Sequence, residues 1–374
     1  MKIGLVTVPF NNNYGGFLQA FALKSLLIQR GHDVEIVNRR RNRPGLKWRI
    51  KNYLSSKLHG IKSWYEEQQE IKRKGKETRK FVKRYLHPIT RPFYTSKDLS
   101  SFVKKKKYDI FVFGSDQIWR YKFCPQNIED YFGGFISKED RTPHFSYAAS
   151  FGSADFEYNS EKQQICSTLL EQFQAVSVRE KSGIELLQKY FGYNKIIYHV
   201  LDPTLVLDKG YYLKMINKKW KGTNDYLLTY ILDTKEDIKD AINILLKQLN
   251  LQIETIQAQT GNIWTLPPLS PVEVWLSKIY YSDFVFTDSF HGVVFSIIFH
   301  KPFYVYINKE RGADRFISLL SLLHLEDRLI ESSGEINTDK FSSIDWDKVE
   351  KLLSEYKSES LHFLDSAVKN CENQ

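Results

Sequence analysis

Cysteine is scarce in this sequence, and long apolar runs are missing altogether. The three thiols, Cys124, Cys166 and Cys371, are odd in number, far apart and without close Cys or His partners, so neither a disulfide framework nor a zinc site is expected. Structural thiols are the simpler reading. No stretch approaches the roughly 18 consecutive apolar residues of a membrane span. The N-terminus passes from Met1 and Lys2 into Ile3–Val6 and then Thr7, lacking the basic segment, apolar helix and small-residue cleavage site of a signal peptide. A cytoplasmic protein is therefore expected. The spaced glycines of a dinucleotide fingerprint and the Lys-Ser/Thr of a phosphate-binding loop are also absent, as are internal repeats. Acidic residues are nearly missing from one place: residues 39 to 84 hold 17 Lys/Arg against four Glu and no Asp. The whole chain carries +10, so everything outside that segment sums to −3. A chain that is basic in one place only is not built as a general nucleic-acid binder, and no nucleic-acid partner is expected.

At 374 residues the chain has room for two domains. Its opening reads as strand Lys2–Thr7, turn Asn11–Gly16, helix Phe17–Gln29 and strand Val34–Val37, a βαβ unit. Further strands are expected at Asp109–Phe113, Phe145–Ala149, Ala175–Val178 and Ile196–His199, completing one doubly wound α/β domain over residues 1–208, with a basic insertion at about 39–90. A second alternation of the same design fills 209–330. Its expected strands are Tyr226–Leu232, Ile253–Gln257, Phe284–Thr287 and Phe303–Tyr306; its helices are Lys235–Leu249, Pro271–Tyr280, His291–Phe299 and Ala313–Leu323. Residues 331–374 form a linker and a final helix, Asp345–Lys369, long enough to cross back to the first domain.

Within the basic insertion, Ile50, Leu54, Leu58, Ile61 and Tyr65 recur every three or four residues between Lys and Arg, with Trp48, Tyr53 and Trp64 beside them. This predicts an amphipathic helix over 47–65 that suits an anionic membrane surface. Packing against the first domain with a solvated basic face is the alternative.

The stretch from Tyr281 to Tyr306 runs an apolar strand through Thr287-Asp288-Ser289-Phe290-His291-Gly292 into an apolar helix. Strand ends of this kind open onto the ligand crevice of α/β proteins, and helix N-termini there attract phosphate or carboxylate. His291 is thus a site candidate, the alternative being a helix cap. Arg179 stands at the matching strand end of the first domain; its planar fork can grip a carboxylate or phosphate, or it can pair with Glu180. Arg311 and Arg315 are further candidates for anion binding. Two loops look like cleft walls: Asn13, Tyr14, Gly15, Gly16 and Gln19 after the first strand, and Gly114–Trp119, where Asp116, Gln117 and Trp119 suit sugar hydroxyls and a pyranose face, the alternative being a turn anchored by a buried Trp119.

These stretches coincide with a family pattern. NYGGFLQAFALK, FGSDQIW, SYAASFG, VSVRE, LDPTLVL and TDSFHG, followed by KPFYVY and RFISLL, occur in order through most of residues 1 to 325, and the chain resembles the polysaccharide pyruvyl transferases. The resemblance implies two Rossmann-like α/β domains facing a central cleft, a GT-B-like fold, with phosphoenolpyruvate as donor and a ketal formed across two sugar hydroxyls. By position His291 resembles the family's catalytic histidine and Arg179 the donor-contacting arginine. Some members carry an arginine where this chain has Ser289, leaving the clamp to Arg315 or Arg311. The expected catalytic set is His291, Arg179 and Asp116. The donor side comprises Arg179, Ser289, Phe290, His291, Gly292, Arg311 and Arg315, and the acceptor side Asn13, Tyr14, Gly15, Gly16, Gln19, Asp116, Gln117 and Trp119. No metal or cofactor is called for. The expected acceptor is a sugar of a polysaccharide or of a polyprenyl-diphosphate-linked precursor, worked on at the inner face of the cell membrane. A sugar-nucleotide glycosyltransferase and a non-catalytic glycan-binding protein are the rival readings.

Overall fold

The computed structural model describes residues 1–10, 13–43, 45–59, 62–137, 139–216, 225–233, 235–257, 264–307, 312–337 and 344–373. Eleven strands in the described residues form two sheets. The first contains β1 (Lys2–Val6), β2 (Asp33–Val37), β3 (Ile110–Asp116), β4 (His144–Ala149), β5 (Val176–Val178) and β6 (Ile197–His199). The second contains β7 (Tyr226–Ile231), β8 (Gln252–Gln257), β9 (Phe284–Thr287), β10 (Phe303–Tyr306) and β11 (Leu329–Ile330). All pairings between these strands are parallel. The first sheet runs β2-β1-β3-β4-β5-β6 and the second β8-β7-β9-β10-β11, so both share one winding, with the chain reversing direction between the first and third strand of each. Crevices form at the carboxyl ends of such reversal points. Here they lie beside β1 and β3 in one domain and β7 and β9 in the other.

The central strands of both sheets are buried on both faces, as parallel sheets covered by helices require, while the edge strands β6 and β8 are partly exposed. β3 and β4 are buried along their whole length. Two helices are apolar nearly all round because each is enclosed by its own sheet and the facing domain: Tyr14–Gln29, buried from Tyr14 through Lys24, and Phe290–Ile298, buried throughout. They meet end to end at Gly15 and His291. The final helix, Trp346–Glu372, does cross back. It begins against the second domain, where Trp346 stacks on His300 at 4.9 Å. It ends on the first, where Phe363 packs on Tyr147 and Tyr198 and Ser360 Oγ accepts the Leu201 N–H at 3.0 Å.

Two local expectations need correction. The turn at Asn11–Gly16 is shorter than expected: Asn11 and Asn12 lie outside the described residues, and helix already begins at Tyr14, because the Asn13 side chain accepts the Gly15 N–H and caps it. The single helix over 47–65 is two, Leu46–His59 and Trp64–Lys74. Ser63 starts the second through a capping box, its hydroxyl accepting the Glu66 N–H while Glu66 accepts the Ser63 N–H. Ile61 and the Leu58 side chain lie outside the described residues.

Candidate active site

Four loops converge where the two domains meet. β3 ends in Asp116, held at φ +72°, a left-handed backbone that disfavours any residue with a Cβ and is tolerated where the surroundings over-determine it. β5 leads into Arg179 and Glu180. Past β6, Asp202 caps the Pro203–Val206 turn, its Oδ1 taking the N–H and hydroxyl of Thr204 at 3.0 and 2.6 Å. Across the interface, β9 ends and His291 occupies the first turn of the Phe290–Ile298 helix.

Arg179 is the hub. Its Nη1 donates to Asp202 Oδ2 at 2.6 Å and its Nη2 to Asp116 Oδ1 at 3.2 Å, with Glu180 Oε2 3.9 Å from Nε. All four side chains are buried. The other oxygen of Glu180 is occupied by the N–H groups of Phe151 and Gly152 at 2.8 and 3.2 Å. Burial works against the Arg179 charge, but Asp202, Asp116 and Glu180 outweigh it and lift its pKa above the ordinary value. The guanidinium also lies 4.6 Å over the Phe290 ring, and Arg315 lies 5.6 Å from the same ring. Burial, followed by the neighbouring Arg179 charge, pushes Arg315 down to about 10.

His291 Nε2 is buried and 3.7 Å from Asp202 Oδ2, and it makes no hydrogen bond among the described residues. Burial depresses the imidazole pKa more than Asp202 and Asp116 raise it, so the ring rests neutral. Burial also works against the Asp202 carboxylate, yet the His291 ring, once protonated in acid, the Arg179 charge and the bond from Thr204 hold it below the usual carboxylate range. A neutral imidazole set 3.7 Å from a fixed carboxylate can accept a proton and be stabilised once it has.

The other expected residues divide. Gly15 is built into the site: a Cβ there would fall 2.0 Å from His291 Nδ1. Gly15→Ala is therefore expected to displace the ring and destabilise the protein by about 1–3 kcal/mol, measured by denaturant unfolding against Gly16→Ala, where the nearest atoms are 3.7 Å away. Gln19 is buried one layer below, bonding Thr7 Oγ1 at 2.8 Å and the Ser115 N–H at 3.1 Å and tying β1 to β3. Tyr14 stacks on Trp275 of the second domain at 5.4 Å and donates to Ser270 O at 3.1 Å. Gly292 faces Thr287, Ser289 is the helix N-cap, and Asn13 remains exposed. Gln117 Oε1 accepts from Arg120 Nη1 at 2.9 Å. Trp119 corrects the acceptor list. It is fully buried, stacked on Phe132 at 4.9 Å, with its indole N–H donated to Tyr131 O at 3.0 Å, so it anchors the loop and offers no face to a sugar. Arg311 lies outside the described residues.

Asp202 is the residue whose part went unread. Its signal is Asp-Pro-Thr directly after a strand, a helix-cap pattern that places a carboxylate at the sheet's ligand-binding end. The domains close tightly around this centre. Gly312, at φ +87°, sits so near the Gly152 carbonyl that a Cβ would fall 1.7 Å from its oxygen. The Lys181 and Ala154 N–H groups donate to Ser318 Oγ and Asp314 Oδ2 across the same seam, both at 3.0 Å.

Comparison with known proteins agrees with the residue pattern. The family model described as polysaccharide pyruvyl transferase matches residues 13–310. No curated protein matches the chain by sequence. Among solved structures, the UDP-GlcNAc 2-epimerase of Methanocaldococcus jannaschii is similar at 11% identity and a TM-score of 0.51, over 95% of this chain and 92% of that one. The UDP-GlcNAc 2-epimerase of Neisseria meningitidis bound to UDP-GlcNAc aligns over 100% of both chains, at 11% identity and a TM-score of 0.49. Such identities establish fold alone, and the fold is the two-domain GT-B type.

Proposed function

The chain belongs to the polysaccharide pyruvyl transferase family, and from that premise we propose that it moves a pyruvyl group from phosphoenolpyruvate onto two hydroxyls of one sugar in a polysaccharide or lipid-linked precursor, forming a ketal and releasing phosphate. The observation that carries this reading is the meeting of His291 from one domain with Asp202, Arg179 and Asp116 from the other. Ketal formation from an enol ether needs a base, an acid and anion binding at one point.

In this reading the addition is concerted: the methylene carbon takes a proton through His291 and becomes a methyl group as the central carbon, gaining positive charge, bonds to the oxygen of the first hydroxyl, whose own proton passes to the ring. The phosphate then leaves with the C–O bonding pair, and the second hydroxyl adds to the resulting cationic carbon, its proton passing to the departing phosphate. Asp202 steadies the positive charge on the ring during this exchange. Arg179 and Arg315, which flank Phe290, bind the carboxylate or phosphate of the donor, aided by the N–H groups at the start of the Phe290–Ile298 helix. For Arg179 this requires the donor to replace Asp116 as a partner, a contact that at 3.2 Å is the looser of its two bonds.

The test is phosphate release from phosphoenolpyruvate by the purified chain with galactose-, mannose- and N-acetylhexosamine-containing acceptors, soluble and polyprenyl-diphosphate-linked. Acceptor-dependent release with a product heavier by one pyruvyl ketal is the expected result. Consumption of a nucleotide sugar in a parallel assay, with phosphoenolpyruvate untouched, would replace this reading with glycosyl transfer.

A further inference from the structure

The Leu46–His59 helix is inside out. Its residues nearest the protein are Arg49, Asn52, Ser55 and Ser56, of which Ser56 is buried, while its apolar residues face solvent: Leu46 is 64% exposed, Ile50 52%, Tyr53 47% and Leu54 56%. At 100° per residue, Leu46, Ile50, Tyr53 and Leu54 fall within one stripe about 100° wide, the width of a face that is normally buried. A helix serving only as a domain cover points such a stripe inward. Lys47, Lys51 and Lys57 lie in or beside the stripe and are exposed, and the helix holds no acidic residue. The polar inner face is fixed in place: Asn52 Oδ1 accepts the Trp64 N–H at 2.7 Å, and Arg49 lies 6.0 Å from the Trp64 ring. The outward orientation is therefore held by the neighbouring helix. Tyr65, in the first turn of that second helix, is itself 58% exposed.

Apolar side chains exposed in a line and rimmed by lysine match one partner chemistry, the boundary between anionic headgroups and acyl chains. We propose that the Leu46–His59 helix docks the protein onto an anionic lipid surface, with Leu46, Ile50, Tyr53 and Leu54 entering the acyl boundary and Lys47, Lys51 and Lys57 meeting the headgroups. Among the described residues no helix is long and apolar enough to cross a membrane, so the contact is peripheral. The insertion also touches the second domain, where the Leu269 N–H donates to Lys74 O at 3.1 Å, so a docked insertion bears on both walls of the cleft. The inference stands on the exposed stripe and is independent of the reaction proposed above.

The experiment is flotation of the full chain with vesicles of phosphatidylcholine alone or mixed with phosphatidylglycerol, comparing wild type with Ile50→Glu/Leu54→Glu and Lys47→Gln/Lys51→Gln. These positions are exposed, so the variants are expected to keep the wild-type circular dichroism and melting point. Wild type should float with the anionic vesicles and not with the neutral ones, and each double variant should partition about tenfold or more weakly. Absence of flotation by wild type, or equal flotation by the Ile50→Glu/Leu54→Glu variant, overturns the proposal. A wild-type dimer in sedimentation velocity that Ile50→Glu/Leu54→Glu dissociates, with no flotation, overturns it too by assigning the stripe to a second copy.

Discussion

Replacing His291 with alanine is expected to lower the turnover of pyruvyl transfer by about 10²–10⁴-fold, the usual cost of removing a positioned acid/base. The fold should survive. Asp202 loses its contact with the ring but keeps Arg179, Thr204 and Ser115 as partners, and the buried apolar packing of the Phe290–Ile298 helix is untouched. Phosphate release measured beside a thermal melt separates the two effects: a folded variant with near-normal turnover removes His291 from the chemistry. The pH profile gives a second readout. Burial pushes the imidazole below its ordinary 6.5, so in the free enzyme the neutral ring persists into mild acid. As pH falls through that lowered value the ring becomes charged and can no longer accept a proton, so kcat/KM should decline on the acid side below 6.5. The His291→Ala variant should have lost that limb.

Arg179→Met is expected to destabilise the protein by about 3–5 kcal/mol, because it strips the cation from three buried carboxylates and leaves their charges uncompensated. The sign of the pH dependence is diagnostic. In wild type Asp202 titrates below its unfolded value, so its contribution is present above the unfolded carboxyl pKa and is lost as pH falls through the folded one. Without Arg179 a charge and a hydrogen bond that help hold the Asp202 carboxyl low are gone, and burial lifts its folded pKa. The deficit of the variant should then be largest near neutrality and shrink toward acid, where Asp202 protonates. Urea unfolding of both proteins across that range checks this. A deficit that does not change with pH would mean that lost packing on Phe290, not charge, is responsible. Arg179→Lys should recover part of the stability, since a single ammonium cannot span Asp202 and Asp116 as the fork does.

Strand ends were the part of the site most legible in the sequence. β9 runs into Thr287-Asp288-Ser289 and β5 into Arg179, and both boundaries follow from apolar runs meeting polar residues, a signal contained in a few neighbours. What Arg179 pairs with is not contained there. Asp202 is 23 residues away and Asp116 63, and only the parallel pairing of β3, β4, β5 and β6 brings them together. The same limit explains Trp119. An indole after a strand reads equally well as a sugar platform or a core anchor, and the decision rests with Phe132, Phe151 and Phe173, which the fold delivers from elsewhere. The 47–65 stretch shows a local signal read too coarsely. Its apolar spacing continues past residue 60, but Ser63 and Glu66 start a new helix, and the face that spacing defines points away from the protein.

The seam between Gly152 and Gly312 bears on when things happen. Asp116, Arg179, Asp202 and His291 are each more than nine-tenths buried with the domains as they stand, so access for a sugar requires the domains to part, and the Gly152–Gly312 contact is one that parting breaks. Access thus becomes a waiting time, governed by how often a contact of two glycines and a few hydrogen bonds lets go, and such motions run on the microsecond-to-millisecond scale. A wider residue at 312 would hold the seam ajar. The centre would then fill faster, at the cost of admitting water to whatever had entered.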